Sequence, residues 1–240
     1  MNVKNSTQMK QLNVLIACEE SQAETMAFRQ IGHRAFSCDI KPCRRGTPPE
    51  WHIQGDVLPI LDGVTTFATQ DGTIHTVEHW DLIIAHPPCT YLCKVGVYWM
   101  YYNNRQNGMH FEKRSTPNPE RYQKMLLARS FFFRCLRAKA HYVAVENPLP
   151  MALAQLPKPS FFIQPSWFGV KYTKKTLYWV KNLPPLMPTV IYPNPKQFVR
   201  SSRGHYRART FPQVAEAMAT QWSQFILDEL ARQTLPTNST

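Results

Sequence analysis

Cys89 stands where a reactive thiol is expected. It follows a mostly apolar run, "DLIIA" at 81–85, and the prolines Pro87 and Pro88. A thiolate is a strong nucleophile, and the pKa of a thiol falls in a loop near a helix N-terminus and basic side chains. The prolines fix the backbone angle φ, so they hold the loop in one path and orient the sulfur. We therefore predict that Cys89 is a nucleophile presented at the end of a strand.

A carboxylic acid occupies a similar place farther along the chain. Glu146 follows the apolar run "YVAV" at 142–145 and precedes Asn147. Burial in a cleft raises the pKa of a carboxyl group, so Glu146 could carry a proton or hydrogen-bond a protonated ring nitrogen. A cysteine protease would instead need a histidine as the base for its thiol. His86 precedes Cys89 by three residues, but we expect its ring to point elsewhere.

Short β-rich runs alternate with helical patterns along the chain. The predicted strands lie at 13–17, 35–38, 81–85, 142–147 and 176–180. This alternation predicts an α/β fold with a doubly wound, mostly parallel sheet, in which ligands bind beyond the carboxyl ends of the strands. The polar residues at or beyond those ends are Asp39, Asp56, Cys89 and Glu146. The sequence thus predicts one crevice that gathers them.

Sequence signals also mark the first predicted helix. Ser21, followed three residues later by Glu24, predicts a capping box that opens it, and Gly32 can end it. Its apolar face would comprise Ala23, Met26, Ala27 and Ile31.

Two later helices have comparable signals. Asn118 and Pro119 predict the start of a helix whose apolar stripe would comprise Tyr122, Met125, Leu126, Phe133 and Leu136. Thr210 with Gln213 predicts the cap of a last helix, which carries Val214, Ala217, Met218 and Phe225.

The chain is strongly basic. Its 28 Lys and Arg residues against 16 Asp and Glu give a formal charge of +12, and such an excess commonly means a polyanionic partner. The segment 196–209 contains no acidic residue, and its composition is typical of a segment that binds along a phosphate backbone. Its basic residues are Lys196, Arg200, Arg203, Arg207 and Arg209.

Cysteine usage and hydropathy indicate the compartment. The six cysteines are scattered, and the N-terminal segment lacks the apolar core of a signal peptide, so we expect reduced thiols in a cytosol. No apolar run is long enough to cross a bilayer, so no membrane partner is expected.

A zinc site can be imagined at Cys38 and Cys43 with Cys18 or His33, but the spacing of these residues is irregular, and we expect no metal. Cys93 is interpreted as a packed thiol.

Six segments carry a resemblance to a known family. They are "VLIACEESQAETMAFRQIGHRAFSCDI", "QGDV", "HPPCTYL", "VENP", "FGVKYTKKTLYWV" and "RTFPQVAEAMA". Their order is similar to that of the motifs of DNA cytosine-5 methyltransferases. Over residues 12–228 the chain resembles a compact, phage-like member of that family, with Pro-Pro-Cys and Glu-Asn as the most specific motifs.

The resemblance implies a fold and a reaction. The fold would be that of a class I S-adenosylmethionine-dependent methyltransferase, Rossmann-like, with a very small recognition lobe. Cys89 would attack C6 of a flipped cytosine while Glu146 binds the N3 edge, so that C5 takes a methyl group from S-adenosylmethionine. Pro88, Asn147 and Lys174 would complete the catalytic set.

The resemblance also assigns a cofactor site. Asp39 would hold the ribose of S-adenosylmethionine, Ile40 would pack on its adenine, and Asp56 would lie near the adenine amino group. The remaining cofactor residues would be Ala17, Glu19, Glu20, Ser21, Val57 and Pro87. The family's first loop is glycine-rich, whereas this chain has "ACEESQ", and Glu19 or Glu20 could face the methionine ammonium.

The contacts to DNA depart from the family pattern. The family's Gln-x-Arg-x-Arg appears as Tyr172, Lys174 and Thr176, with Lys175 beside them. The segment 94–118, which includes Arg105 and dense aromatics at 98–102, lies where the family keeps a mobile catalytic loop. By the same resemblance, the segment 181–209 would be a reduced target-recognition segment, so sequence specificity should be short or relaxed. The expected DNA contacts are Arg105, Lys174, Lys175, Lys196, Arg200, Arg203, Arg207 and Arg209.

We therefore predict one catalytic domain at 12–230, flanked by flexible tails at 1–11 and 231–240, in the cytoplasm of a bacterial or phage-infected host cell. Two alternatives remain. One keeps the same chemistry on a free nucleotide or with a different one-carbon cofactor. The other is a DNA-binding protein on a lapsed methyltransferase fold, against which the retention of Cys89 and Glu146 argues. The sequence leaves the target site and the oligomeric state open.

Overall fold

A computed structural model describes residues 10–101, 118–198 and 209–234. The described strands are β1 (Asn13–Ala17), β2 (Arg34–Asp39), β3 (His52–Gln54), β4 (Thr66–Ala68), β5 (Ile74–Thr76), β6 (Leu82–Ala85), β7 (Tyr142–Asn147), β8 (Phe161–Ile163), β9 (Tyr172–Thr173), β10 (Thr176–Lys181) and β11 (Lys196–Gln197). The α-helices are α1 (Ala23–Gln30), α2 (Leu58–Leu61), α3 (Pro119–Leu136) and α4 (Pro212–Thr234). Short 3-10 helices lie at Pro49–Trp51, Lys94–Met100, Ala152–Ala154 and Pro165–Trp167.

Seven strands form one mixed sheet in the order β3-β2-β1-β6-β7-β10-β8. The first five pair in parallel, and β10 runs antiparallel to both of its neighbours. The predicted α/β class with a mostly parallel sheet is confirmed. The sequence reading did not include β3 and β8, which have three residues each, or the β4–β5 hairpin outside the sheet.

Both faces of the sheet are covered, as the nearly continuous apolar sequence of its central strands requires. One face packs on α3 through buried residues that include Val143, Val145, Phe132 and Cys135. The other face packs on α1 and α4 through buried residues that include Ile16, Ile84, Phe28, Met218 and Trp222. Within the described part of the chain, no helix has the length and apolarity that spanning a membrane requires.

The start of α1 differs from its prediction. Gln22 is the N-cap residue and has a left-handed backbone, with no capping hydrogen bond from its own side chain. The carboxylate of Glu19 instead accepts hydrogen bonds from the backbone N–H groups of Glu24 and Thr25. The prediction of a capping box at Ser21 and Glu24 is therefore wrong, because the carboxylate of Glu24 points away from the start of the helix.

The buried face of α1 is also shifted from the predicted stripe. Met26 and Ile31 are exposed, whereas the buried residues are Glu24, Thr25, Ala27 and Phe28. Polar groups occupy half of this face because they belong to a network inside the protein.

The later helices follow their predictions more closely. Asn118 accepts a hydrogen bond from the backbone N–H of Arg121, so the predicted cap of α3 is confirmed. Of its predicted stripe, Met125 is buried and Tyr122 is exposed, and the deepest residues are Phe132 and Cys135.

Helix α4 begins at Pro212 and buries Val214, Ala217 and Met218 as predicted. Thr210 is not its cap, because its hydroxyl donates to Glu24, and the carbonyl of Phe211 accepts the first helical hydrogen bonds.

Candidate active site

The sheet order reverses between β1 and β6, and the site lies beyond this point. The chain leaves β1 toward β2 on one side and leaves β6 toward β7 on the other, which opens a crevice at the carboxyl ends. The backbone N–H of His86 donates to the carbonyl of Ala17 at 2.9 Å and ties the two loops together. The residues that follow these two strands therefore share one edge of the sheet.

Cys89 lies in a tight turn after β6. Its carbonyl accepts hydrogen bonds from the backbone N–H groups of Leu92 and Cys93, both at 3.0 Å. Two further backbone bonds, Lys94 to Leu149 and Met151 to Leu92, attach this turn to the segment after β7. The chain that follows Glu146 is thereby held against the turn that carries Cys89.

Glu146 lies at the end of β7, next to β6 in the sheet. Val145 pairs with Ala85, so Glu146 emerges level with His86, and Nδ1 of His86 lies 3.4 Å from a Glu146 oxygen. Burial raises the pKa of Glu146, but the hydrogen bond from His86 and the charges of Lys174 and His86 bring it below the ordinary value. The expectation of a raised pKa was wrong because it omitted these two cations.

His86 connects Glu146 to a second, deeper carboxylate. Its Nε2 lies 2.9 Å from an oxygen of Glu24, whose side chain is fully buried. The other oxygen of Glu24 accepts the hydroxyl of Thr210 at 2.6 Å. The expectation that the His86 ring points away from the site was wrong, and the sequence reading missed both Glu24 and Thr210 as site residues.

The thiols of Cys89 and Cys93 interact as a pair. A hydrogen bond with Cys93 raises the pKa of Cys89, and burial and the charge of Glu146 add to this effect. The same hydrogen bond lowers the pKa of Cys93 to about 6, with further help from the backbone N–H groups of Val95 and Gly96. The predicted fall in the pKa of Cys89 is therefore wrong for the free protein, because the hydrogen bond with Cys93 and burial both disfavour its thiolate.

Asn147 lies on the opposite face of the sheet from Glu146. It is fully buried, and its strand partner is Leu177, whereas Glu146 pairs with Tyr178. Its Nδ2 donates to the carbonyl of Pro148, and its Oδ1 has no hydrogen-bond partner among the described residues. The geometry therefore does not bring Asn147 together with Glu146. Pro88, beside Cys89, is exposed.

The predicted cofactor residues at or just after the ends of β2 and β3 lie at the same edge of the sheet, since these strands pair in parallel. Asp39 and Asp56 both act electrostatically on Cys18, so the two carboxylates flank the loop after β1. Ile40 is 76% exposed, which is unusual for an aliphatic side chain at the end of a buried strand. The side chains of Ala17 and Val57 are buried, and Pro87 is buried as well. Ala17 and Val57 can therefore reach a cleft ligand only through their backbone atoms.

The loop after β1 has a glycine-like path without glycine. Cys18 and Gln22 have φ angles of 61° and 56°, in the left-handed region that ordinarily favours glycine. Such strain is found where the surrounding structure fixes the backbone, often at functional sites. The sequence "ACEESQ" therefore keeps the backbone turns that a glycine-rich loop would provide.

The two glutamates of this loop have different surroundings. Glu19 is buried against the start of α1, so its carboxylate is directed at the helix and away from any cofactor ammonium. Glu20 is partly exposed and pairs with Lys41 at 3.1 Å. Ser21 lies 3.5 Å from a Glu19 oxygen. Of the two, Glu20 remains the candidate for an ammonium contact.

Basic residues collect beside Glu146. The parallel pairing of β9 with β11 places Lys196 next to the segment 171–175, and Lys175 lies over the ring of Phe162 at 4.3 Å. A narrow pocket beside Glu146 is lined by residues that include Lys174, Arg209, Thr210, Tyr178 and Phe211. Of the predicted DNA-binding residues, Lys174 and Arg209 thus lie beside Glu146. Lys175 lies toward the other face of the sheet, since Phe162 pairs with Leu177 and Glu146 pairs with Tyr178. Arg105, Arg200, Arg203 and Arg207 lie outside the described residues.

Comparisons with known proteins give no family. The sequence matches no protein-family model, and no curated protein matches it significantly. Within 10–101, 118–198 and 209–234, no group of three or more His, Cys, Asp or Glu side chains is placed to hold a metal ion.

Proposed function

We propose that this protein is a DNA cytosine-5 methyltransferase that uses S-adenosylmethionine. The observation that carries the proposal is the meeting of a turn that carries a thiol and a partly buried carboxylate at the ends of adjacent parallel strands. Cys89 lies after β6 and Glu146 ends β7, and the two are close enough for the charge of Glu146 to act on the thiol. A nucleophile and an acid-base group in one crevice suit addition to an electron-poor ring.

The residues have separable tasks in this reaction. Cys89 adds to C6 of cytosine, and the sulfur of Cys93 is beside it to accept the thiol proton. Glu146 binds the N3 edge, and Lys174 supplies positive charge near that carboxylate. The addition makes C5 a nucleophile, and loss of the C5 proton and of the enzyme sulfur restores the ring. Asn147, on the other face of the sheet, supports the strand rather than the base.

Residues near the ends of β1, β2 and β3 support the cofactor that the proposal requires. When bound, S-adenosylmethionine supplies the methyl group. Asp39 and Asp56 would hold its polar parts, and the exposed Ile40 offers an apolar surface for a purine ring. The left-handed backbone of Cys18 and Gln22 keeps the turns of a loop that can approach a ligand closely.

Duplex DNA is the substrate that the charge distribution favours. Lys174 and Arg209 line the pocket beside Glu146, Lys196 pairs with Tyr172 in the neighbouring two-stranded sheet, and the whole chain carries a charge of +12. A cytosine inside a duplex must leave the stack to reach Cys89, and cationic side chains stabilise the exposed phosphates.

The decisive experiment is to incubate the protein with mixed-sequence duplex DNA and methyl-deuterated S-adenosylmethionine, and to measure labelled 5-methylcytosine by mass spectrometry. Cys89→Ala should give no product while it still binds DNA. Cys43→Ala, a half-buried cysteine on the loop after β2, should behave as the wild type. Product from Cys89→Ala would overturn the thiol mechanism.

Glu146→Gln gives a second test of the same site. The amide keeps the size of the side chain but removes an acid-base group, which contributes about 10²–10⁴-fold in rate. A wild-type rate in Glu146→Gln would remove Glu146 from the reaction.

The wild type alone distinguishes the two alternative functions. If it methylates only free deoxycytidine monophosphate, the substrate is a nucleotide. If it binds DNA without forming any product, it is a lapsed enzyme.

A further inference from the structure

A chain of ionisable groups runs from the core of the protein to Glu146. Glu24 is fully buried, and each of its carboxylate oxygens has one partner, the ring of His86 and the hydroxyl of Thr210. The opposite ring nitrogen of His86 faces Glu146 at 3.4 Å. The imidazole therefore lies between two carboxylates, one inside the protein and one at the crevice.

This arrangement favours a charged ring. Each nitrogen of this imidazole faces a carboxylate oxygen. The ring can donate a hydrogen bond to both carboxylates only when both nitrogens carry a proton. Burial lowers the pKa of His86, but the charges and hydrogen bonds of Glu24 and Glu146 together raise it well above the ordinary value. His86 thus keeps its second proton at neutral pH.

The surrounding charges balance this cation. The ionisable groups that face His86 or its two carboxylates are Glu19, Glu24, Cys89, Glu146, Lys174, Arg209 and Tyr178. Burial and the charge of Glu24 raise the pKa of Glu19 to about 7, and burial raises that of Tyr178. Near pH 7, Glu19 is therefore partly neutral and Tyr178 is largely neutral. The negative charges of Glu24 and Glu146 are balanced mainly by the positive charges of His86 and Lys174.

We propose that His86, held by Glu24, is a positioning residue that stores the proton which Glu146 delivers to the cytosine N3. This inference rests on the proposed function. As Cys89 adds to C6, negative charge develops on the ring and makes N3 basic. Glu146 then takes the Nδ1 proton of His86 and passes it to N3, and the neutral imidazole keeps its Nε2–H on Glu24. When the enzyme sulfur leaves, N3 returns the proton by the same route.

The store explains how an ionised Glu146 can act as an acid. The pKa of Glu146 lies below its ordinary value, so the free carboxylate has no proton of its own near pH 7. Cytosine N3 becomes basic only as the thiol adds, so a proton held one group away is available at the required step.

The test uses the pH dependence of methyl transfer in two variants. His86→Gln removes the stored proton. The rate of methyl transfer should fall by about 10²-fold or more near pH 8, and the alkaline limb of the pH–rate profile, where the rate declines with rising pH, should move to lower pH. Glu24→Gln keeps a hydrogen-bonding group but removes the charge that is the main cause of the raised pKa of His86. Its rate should stay near that of the wild type at low pH, with only the alkaline limb moved down.

His33→Gln is the matched control, since His33 is a buried histidine whose Nδ1 accepts the backbone N–H of Leu12 at the amino ends of β1 and β2, the opposite edge of the sheet from the crevice. It should leave the limb in place. Thermal unfolding of each variant identifies any that fails to fold. A limb that stays in place in both His86→Gln and Glu24→Gln would overturn the proposal.

A titration of the wild type separates this inference from the proposed function. In protein labelled with ¹⁵N-histidine, the His86 signals, assigned by their loss in His86→Gln, should show a doubly protonated ring well above pH 7. A ring that is already neutral at pH 7 overturns the proton store, whether or not the protein methylates DNA. A charged ring in a protein that makes no 5-methylcytosine leaves the store intact and rejects the methyltransferase.

Discussion

The carboxylate of Glu19 accepts the backbone N–H of Glu24 at 2.8 Å, so one acid caps the helix that carries another. Glu19 also accepts the hydroxyl of Thr25 at 2.7 Å. Both glutamates are buried, and the charge of Glu24 adds to burial in raising the pKa of Glu19 to about 7. The cap is therefore made by a group that titrates close to neutral pH.

The free energy of unfolding should depend on pH through Glu19. Its pKa is raised from 4.5 to about 7, so the stability linked to it is complete below pH 4.5 and is lost as the pH rises through about 7. The loss amounts to about 3 kcal/mol, at 1.36 kcal/mol for each unit of pKa. Glu19→Gln cannot ionise, so it should gain stability relative to the wild type between pH 5 and pH 8. Denaturant unfolding at several pH values measures this difference.

Glu20→Gln is the control, because Glu20 is a partly exposed neighbour that makes a surface ion pair. Its stability difference from the wild type should change little over the same range. A constant difference between Glu19→Gln and the wild type would show that Glu19 does not titrate in this window.

Cys93 should be the more reactive thiol of its pair. Its pKa is lowered to about 6, whereas that of Cys89 is raised, so at pH 7 only Cys93 is mainly a thiolate. Iodoacetamide should alkylate Cys93 first, as measured by mass spectrometry of the peptides. In Cys93→Ser the main cause of the raised pKa of Cys89 is gone, and alkylation of Cys89 at pH 7 should rise about tenfold for each unit by which its pKa falls. Faster alkylation of Cys89 than of Cys93 in the wild type would contradict the assignment.

Alanine variants are usually more stable than glycine variants, and the left-handed backbone of Cys18 should reverse this order of stability. Alanine at a φ of 61° costs about 1 kcal/mol in the folded state, and glycine does not. Cys18→Gly should therefore be at least as stable as Cys18→Ala, measured by denaturant unfolding. Ser21, in the same loop without a left-handed backbone, is the comparison, and Ser21→Gly should be less stable than Ser21→Ala by about 0.5–1 kcal/mol. The same order at both positions would count against strain at Cys18.

Lys175, between β9 and β10, and Lys196, in β11, should contribute to the salt dependence of DNA binding. Lys175→Gln and Lys196→Gln should each weaken binding, and each should reduce the slope of log affinity against log salt by about 0.9 if it removes one phosphate contact. Lys139→Gln, an exposed lysine beyond the end of α3, should leave the slope unchanged. An unaltered slope in Lys175→Gln and Lys196→Gln would place the DNA elsewhere.

The sequence predicted the strands that carry the site because their apolar runs are short and clearly bounded. β1, β6, β7 and β10 lie within a residue or so of the predicted runs, and all are buried. This alone puts Cys89 and Glu146 at one edge of the sheet, since neighbouring parallel strands end together. The strands with three residues carry too little periodicity to be recognised.

The electrostatics of the site could not be predicted in this way. Glu24 matched a capping pattern, and only its burial against His86 gives it another partner. The direction of the pKa shift at Cys89 depends on which thiol of the pair the backbone N–H groups stabilise. Both effects come from residues that meet through tertiary packing, which local spacing does not encode.

The hydrogen bond between Thr210 and Glu24 joins residues 186 positions apart. During synthesis, the ribosome has completed β1, α1 and the turn of Cys89 long before Thr210 leaves its exit tunnel. Until then Glu24 lacks one of its two partners, and the face that α4 covers is open to water. From Cys89 until Thr210 is made, the nascent chain therefore carries its thiol without a finished site, and the segment that leads into α4 completes it.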